Sequence, residues 1–150
     1  MAEGTVITQA MRNAVGIQSE PVINDVEKGA VTRFAEAIGD DNPLYTDEVA
    51  ARRSRFGGII APPTFLRSMK GTIIKLETDM PFDRRLDGGS DWEYFEPVRP
   101  RDRITVTSKL ADIFEREGRM GRMVFLIREV SYKNQLDQLV AIQRSTLIYY

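Results

Sequence analysis

Arg103-Ile104-Thr105-Val106-Thr107-Ser108-Lys109-Leu110 decides the fold. Ile104, Val106, Ser108 and Leu110 alternate with Thr105, Thr107 and Lys109, the two-residue period of a strand covered on one face. The pattern predicts a strand over Arg103–Arg116. Three more candidates flank it, at Asp91–Pro97, Gly121–Lys133 and Gln138–Tyr149. In the third strand, Met123-Val124-Phe125-Leu126-Ile127 is continuously apolar, which implies cover on both faces. Glu117-Gly118-Arg119 and Asn134–Asp137 read as hairpin links, and links this short require antiparallel pairing. Before the strands, Asp79–Ser90 is polar and contains Asp87-Gly88-Gly89, read as a turn.

The N-terminal half carries helical spacing instead. Val31, Phe34, Ala35 and Ile38 recur at i, i+3, i+4 and i+7 and line one helix face, with Gly39 placed to stop it. Asp40-Asp41-Asn42-Pro43-Leu44-Tyr45 is a loop by its turn chemistry. Thr46 is positioned to cap a second, short helix with Asp47 and Glu48 in its first turn, and Gly57-Gly58 ends that unit. A third, buried helix is expected over Pro63–Leu76, where Phe65, Leu66, Met69, Ile73 and Leu76 form a wide apolar face. Pro21–Val26 is a short extended stretch. Helices followed by a meander of long strands give an α+β class, one antiparallel sheet wrapped around a long central helix. Strands of this length bury more than one helix covers, which points to dimerisation through the sheet.

At 150 residues the chain fits one domain, 1–150, with residues 1–19 as an N-terminal arm packing on the domain or on a partner. With 21 basic against 22 acidic residues the net charge is −1, so no overall field draws in nucleic acid or an anionic membrane. No run of about 18 apolar residues spans a bilayer and no secretory signal is visible, which leaves cytoplasm as the default. The chain has no Cys and no His. Disulfides, thiolate nucleophiles, His-ligated metals and imidazole proton shuttles are therefore excluded, and any acid–base work falls to carboxylates, Lys or Tyr. The reading carries no metal site and no cofactor; Asp40-Asp41-Asn42 lacks the Gly and Glu of a calcium loop.

Three separated stretches resemble the MaoC-like hot-dog family. They are Phe34–Asp47, Phe56–Phe65 (Phe-Gly-Gly-Ile-Ile-Ala-Pro-Pro-Thr-Phe) and Phe95-Glu96-Pro97-Val98-Arg99-Pro100-Arg101-Asp102. The resemblance covers roughly residues 20–150 and implies a hot-dog fold paired into dimers. It also implies (R)-specific 2-enoyl-CoA hydratase or 3-hydroxyacyl dehydratase chemistry on thioesters of coenzyme A or acyl carrier protein. In active members an Asp and a His bind water, and a Gly N–H opening the central helix polarises the thioester carbonyl. Here Asp40 and Asn42 match, but Tyr45 stands at the His position and Pro62-Pro63 replaces His-Gly. A Tyr, with its ordinary pKa near 10, is a poor base at neutral pH, and Pro has no N–H to offer an oxyanion.

The pattern is similar to the N-terminal, FAS1-like dehydratase branch, which includes HadA-like subunits and pairs with a catalytic MaoC-like chain. The resemblance therefore implies a hetero-oligomer in which this chain lacks its own dyad, binds acyl-CoA or acyl-ACP, and is inactive or weak alone. Two alternatives stay open. One is an autonomous homodimeric hydratase or thioesterase using Asp40 and Tyr45; the other is a non-enzymatic acyl-CoA-binding module. Candidate acyl-pocket residues are Ile60, Phe65, Trp92 and Phe95, weighed against plain core roles. Candidates for coenzyme A phosphates are Arg52, Arg53 and Arg55, with Arg99, Arg101 and Arg103 considered for the same task, against a solvated charged surface.

Overall fold

The computed structural model describes residues 4–74, 76 and 80–150. Its elements run α1 (Gln9–Asn13), β1 (Val22–Asp25), α2 (Lys28–Ala37), a 3₁₀ turn (Pro43–Tyr45), α3 (Glu48–Arg53), a 3₁₀ helix (Pro63–Ser68), then β2 (Arg85–Tyr94), β3 (Arg103–Gly118), β4 (Gly121–Lys133) and β5 (Leu139–Tyr149). The strands form one sheet in the order β1-β3-β4-β5-β2, and every pairing is antiparallel. This is the α+β arrangement that the strand period predicts.

The long hairpin β3–β4 sets the register. Ser108 lies opposite Val130 and Gly118 opposite Gly121. Along β4, Val124, Leu126, Val130 and Tyr132 are buried while their neighbours are half-covered. On the other face Phe125 stacks on Phe114 at 5.1 Å with the Arg116 guanidinium over both rings. The apolar run Met123–Ile127 is thus partly covered on both sides. The main core packs Ile104, Val106, Val130 and Val140 of the sheet against Val31, Ala51, Phe65 and Leu66. The N-terminal arm packs on its own sheet: Ile7 and Met11 are buried against Leu110, Ile113 and Val124. A carboxylate latches it, since Glu115 Oε1 accepts hydrogen bonds from the Thr5 hydroxyl and the N–H groups of Val6 and Ile7.

Three local expectations are corrected. First, no helix spans Pro63–Leu76. Residues Pro63–Ser68 make one 3₁₀ helix, and Met69 leaves it with an extended backbone, φ −76° and ψ 145°. The chain then continues as irregular structure to Ile74; Lys75 and residues 77–79 lie outside the described residues. The causes are in the sequence. Gly71 and the β-branched run Thr72-Ile73-Ile74 are weak helix formers. The sheet then competes for the main chain: Asn24 bonds both the N–H and the C=O of Lys70, at 2.8 and 2.9 Å. The Ser108 hydroxyl donates to the Thr72 carbonyl at 2.5 Å. A Cβ on Gly71 would sit 3.0 Å from Val106 Cγ1, so the segment lies close against β3.

Second, Asp87-Gly88-Gly89 is not a turn. It is a bulge within β2, which starts at Arg85, and the register with β5 shifts between Asp87 and Ser90. Gly89 takes φ +104°, which only Gly adopts without strain, and the Asp87 carboxylate accepts its N–H at 2.8 Å. Third, the cap of α3 is Asp47, not Thr46: its Oδ1 accepts from the N–H groups of Val49 and Ala50. Among the described residues no helix is long and apolar enough to cross a membrane.

Candidate functional site

Gly39, at φ +70°, turns the chain out of α2 and presents Asp40. Asp40 Oδ1 accepts the Asn42 N–H at 3.1 Å, and Asn42 Oδ1 accepts the Leu44 N–H at 3.1 Å. Both side chains thus shape their own loop, the local turn chemistry that Asx residues supply. The 3₁₀ turn that follows drives Tyr45 inward, where it packs with Ala35 and Ile60. Burial, and then the nearby Asp40 charge, raise the Tyr45 hydroxyl above its ordinary pKa. A phenol held neutral in this way is no general base at neutral pH.

The second motif ends equally spent. The Ile60 N–H goes to the Leu44 carbonyl and the Ala61 N–H to the Val98 carbonyl. Pro62 is fully buried, and its carbonyl accepts from the Phe65 N–H at 2.9 Å. Pro63 opens the 3₁₀ helix with no hydrogen on its nitrogen. A cleft of about 340 Å³ lies against this turn, with Arg55, Pro63, Phe95 and Glu96 in its lining.

The predicted arginines separate. Arg52, exposed, pairs with half-buried Glu48 at 3.5 Å. Arg53 is exposed in the last turn of α3. Arg55 lies over the Phe56 ring at 4.8 Å and alone of the three lines the cleft. Arg99, Arg101 and Arg103 hold the fold: Arg99 donates to the Phe56 carbonyl, the Arg101 N–H to the Val26 carbonyl, and Arg103 pairs with Asp25. Buried Asp102 accepts from the Arg99 N–H and from Gln135 Nε2.

The four acyl-pocket candidates do not meet in one cavity. Ile60 belongs to the small core around Tyr45. Phe65 is buried with its ring edge-on to Phe34 at 5.5 Å. Trp92 stacks between Tyr94 and Tyr132, each at 5.7 Å. Phe95 stands half exposed at the cleft.

A larger cavity, about 500 Å³, opens elsewhere, between the core face of β3–β5 and residues Met69, Gly71, Ile73, Ile74 and Leu76. Its floor includes Leu110, Leu126, Val130, Tyr132 and Leu147, and two cations, Arg67 and Arg128, reach its lining. Burial raises the Tyr132 phenol pKa, opposed by the Arg128 and Arg67 charges. No helix crosses this face over residues 69–74, where the apolar spacing predicts one, and among the described residues the cavity takes that place. One signal was available: Arg128 interrupts the inward apolar positions Val124, Leu126, Val130 and Tyr132. Among the described residues no three His, Cys, Asp or Glu side chains gather as a metal-binding group.

Residues 13–143 match the family model described as FAS1-like, dehydratase domain region. A UPF0336 protein of Streptomyces avermitilis is 36% identical over 94 residues, 59% of this chain and 63% of that protein. The alpha subunit of a 3-oxo-4,17-pregnadiene-20-carboxyl-CoA hydratase of Mycobacterium tuberculosis is 28% identical over 102 residues, 59% of this chain and 33% of that protein. This chain therefore spans less than two thirds of the length of either relative. The structure superposes on one chain of the ChsH1-ChsH2 complex of Mycobacterium tuberculosis with a TM-score of 0.77 at 21% identity, covering 94% of this chain and 88% of that chain. With the family model matched over most of its length, the chain belongs to the FAS1-like dehydratase region family, and its fold is the hot-dog fold.

Proposed function

We propose that this chain is the non-catalytic subunit of an (R)-specific 2-enoyl-thioester hydratase or 3-hydroxyacyl dehydratase, working with a MaoC-like catalytic partner. The observation that carries the proposal is the double loss at one end of the fold: a buried neutral phenol at Tyr45 and an N–H-less nitrogen at Pro63. Hydration of an enoyl thioester needs a base to take a proton from water and a donor for the developing enolate oxygen. Removing one oxyanion donor alone costs about 10²–10³ in rate. The partner would supply Asp, His and the donor N–H. This chain would supply a wall of the acyl pocket and the open cavity beneath β3–β5. Two comparisons support the reading: a relative is named as a hydratase alpha subunit, and a structural neighbour is a complex of two chains.

The test is turnover of crotonyl-CoA and of a longer 2-enoyl-CoA. The chain alone is expected to be inactive, and activity should appear on adding a MaoC-like chain with an intact Asp/His pair. Asp40→Ala should leave the reconstituted rate within about two-fold, since Asp40 serves its loop. Robust hydration by the chain alone, lost in Asp40→Ala, would overturn the proposal. Release of free thiol by the chain alone would instead establish a thioesterase.

A further inference from the structure

Arg128 is out of keeping with its surroundings. It lies at an inward position of β4, between Leu126 and Val130, with Leu110 opposite it on β3 and Ser145 opposite it on β5. Its Nε is buried and has no hydrogen-bond partner among the described residues. A guanidinium does not shed its charge to escape burial, so it needs an acceptor. It lines the 500 Å³ cavity, whose floor is otherwise largely hydrocarbon. Arg67, from the end of the 3₁₀ helix, reaches the same cavity from the opposite wall. The one acidic residue in the lining, Asp87, is exposed and directs Oδ1 to the Gly89 N–H. From Arg128 a polar row crosses the sheet through Ser145 to Ser90, where Gln143 also bonds the Ser90 hydroxyl.

A largely apolar lining that holds a half-buried cation, with its Nε buried and unpartnered, is complementary to a hydrocarbon tail that ends in an anion. We propose that the cavity binds an acyl tail carrying a carboxylate at its far end, paired by Arg128 with Arg67 in support. This rests on the acyl-thioester reading above and adds the class of acyl group. Arg128 is here a specificity-determining residue and takes no part in proton transfer. A plain alkyl tail would fill the floor and leave the guanidinium unpaired. A coenzyme A phosphate would satisfy the charge and waste the floor.

The experiment is calorimetric titration of the full chain with octanoyl-CoA, its ω-carboxylate analogue octanedioyl-CoA, and free coenzyme A. The wild-type chain should prefer octanedioyl-CoA over octanoyl-CoA by about ten-fold or more, the range expected of a hydrogen-bonded charge pair. Arg128→Met should bring the two within about two-fold, keep octanoyl-CoA binding, and leave the melting temperature unchanged or higher, because a buried unpartnered Nε is replaced by hydrocarbon. Arg128→Lys, which keeps the charge but loses the fork, should retain part of the preference. Equal binding of both thioesters by the wild-type chain overturns the proposal and leaves the acyl-thioester reading standing. So does a fall in Arg128→Met melting temperature with equal loss of both ligands, which marks a structural arginine. Binding of free coenzyme A that depends on Arg128 overturns it in favour of a phosphate contact. Failure of both thioesters to bind removes the acyl-thioester reading itself, and the proposal with it.

Discussion

Replacing Asn24 with Ala tests the device that keeps residues 69–74 out of a helix. From β1, Asn24 Nδ2 donates to the Lys70 carbonyl at 2.9 Å and Oδ1 accepts the Lys70 N–H at 2.8 Å. One side chain thus copies a single rung of sheet ladder. Each such bond is worth about 0.5–1.5 kcal/mol net, and both are exposed, so their joint loss should cost about 1–2 kcal/mol. Among the described residues the segment is also tied by the Ser108 hydroxyl on the Thr72 carbonyl and by the Thr72 hydroxyl on the Glu20 carbonyl at 3.3 Å. The segment is an irregular stretch on the sheet rather than part of it, so the loss should appear as local opening. A change of 1–2 kcal/mol multiplies the open population about 5–30-fold. Native-state hydrogen exchange of the amides at 70–74 should quicken by that factor, while β3 and β4 keep their protection. Asn24→Asp, which keeps the acceptor and loses the donor, should fall between. Exchange at 70–74 unchanged within two-fold in Asn24→Ala would refute the argument.

Gly89→Ala has open space for its Cβ but keeps φ +104°, so strain alone should cost about 1–3 kcal/mol in urea denaturation. Asp102→Ala leaves the Arg99 N–H and Gln135 Nε2 without their buried acceptor and should cost about 2–3 kcal/mol, partly recovered in Asp102→Asn. The Glu115 carboxyl is held below its ordinary pKa of 4.5, first by the Thr5 hydroxyl and then by the Ile7 and Val6 N–H groups. Its stabilisation of the arm is therefore complete above that ordinary value and lost as pH falls through the lowered folded value. Exchange of the amides at 5–13 should rise in that acid window, and Glu115→Gln should remove the pH dependence. Tyr45→Phe removes a hydroxyl from a packed ring and should leave both stability, within about 1 kcal/mol, and the rate of the reconstituted hydratase unchanged.

The strands were legible in the residues themselves. Ile104 to Leu110 alternate because one face of β3 is buried, and with a two-residue period a slip of one residue would turn that face outward. The proposed loss of a base and of an N–H comes from the resemblance, which sets Tyr45 and Pro62-Pro63 where active members keep His and His-Gly; no folding can give proline an amide hydrogen. What the sequence could not settle is the path of Met69–Ile74. Its apolar spacing suits a helix, yet Asn24, Val106 and Ser108, all distant in the chain, offer main-chain bonds and a close approach that a helix would forfeit. The bulge at Gly88-Gly89 and the isolation of Arg128 have the same origin. Local pattern reports what a segment prefers, whereas partners brought from elsewhere decide which preference is met, and here they hold residues 69–74 in an irregular path where a helix was expected.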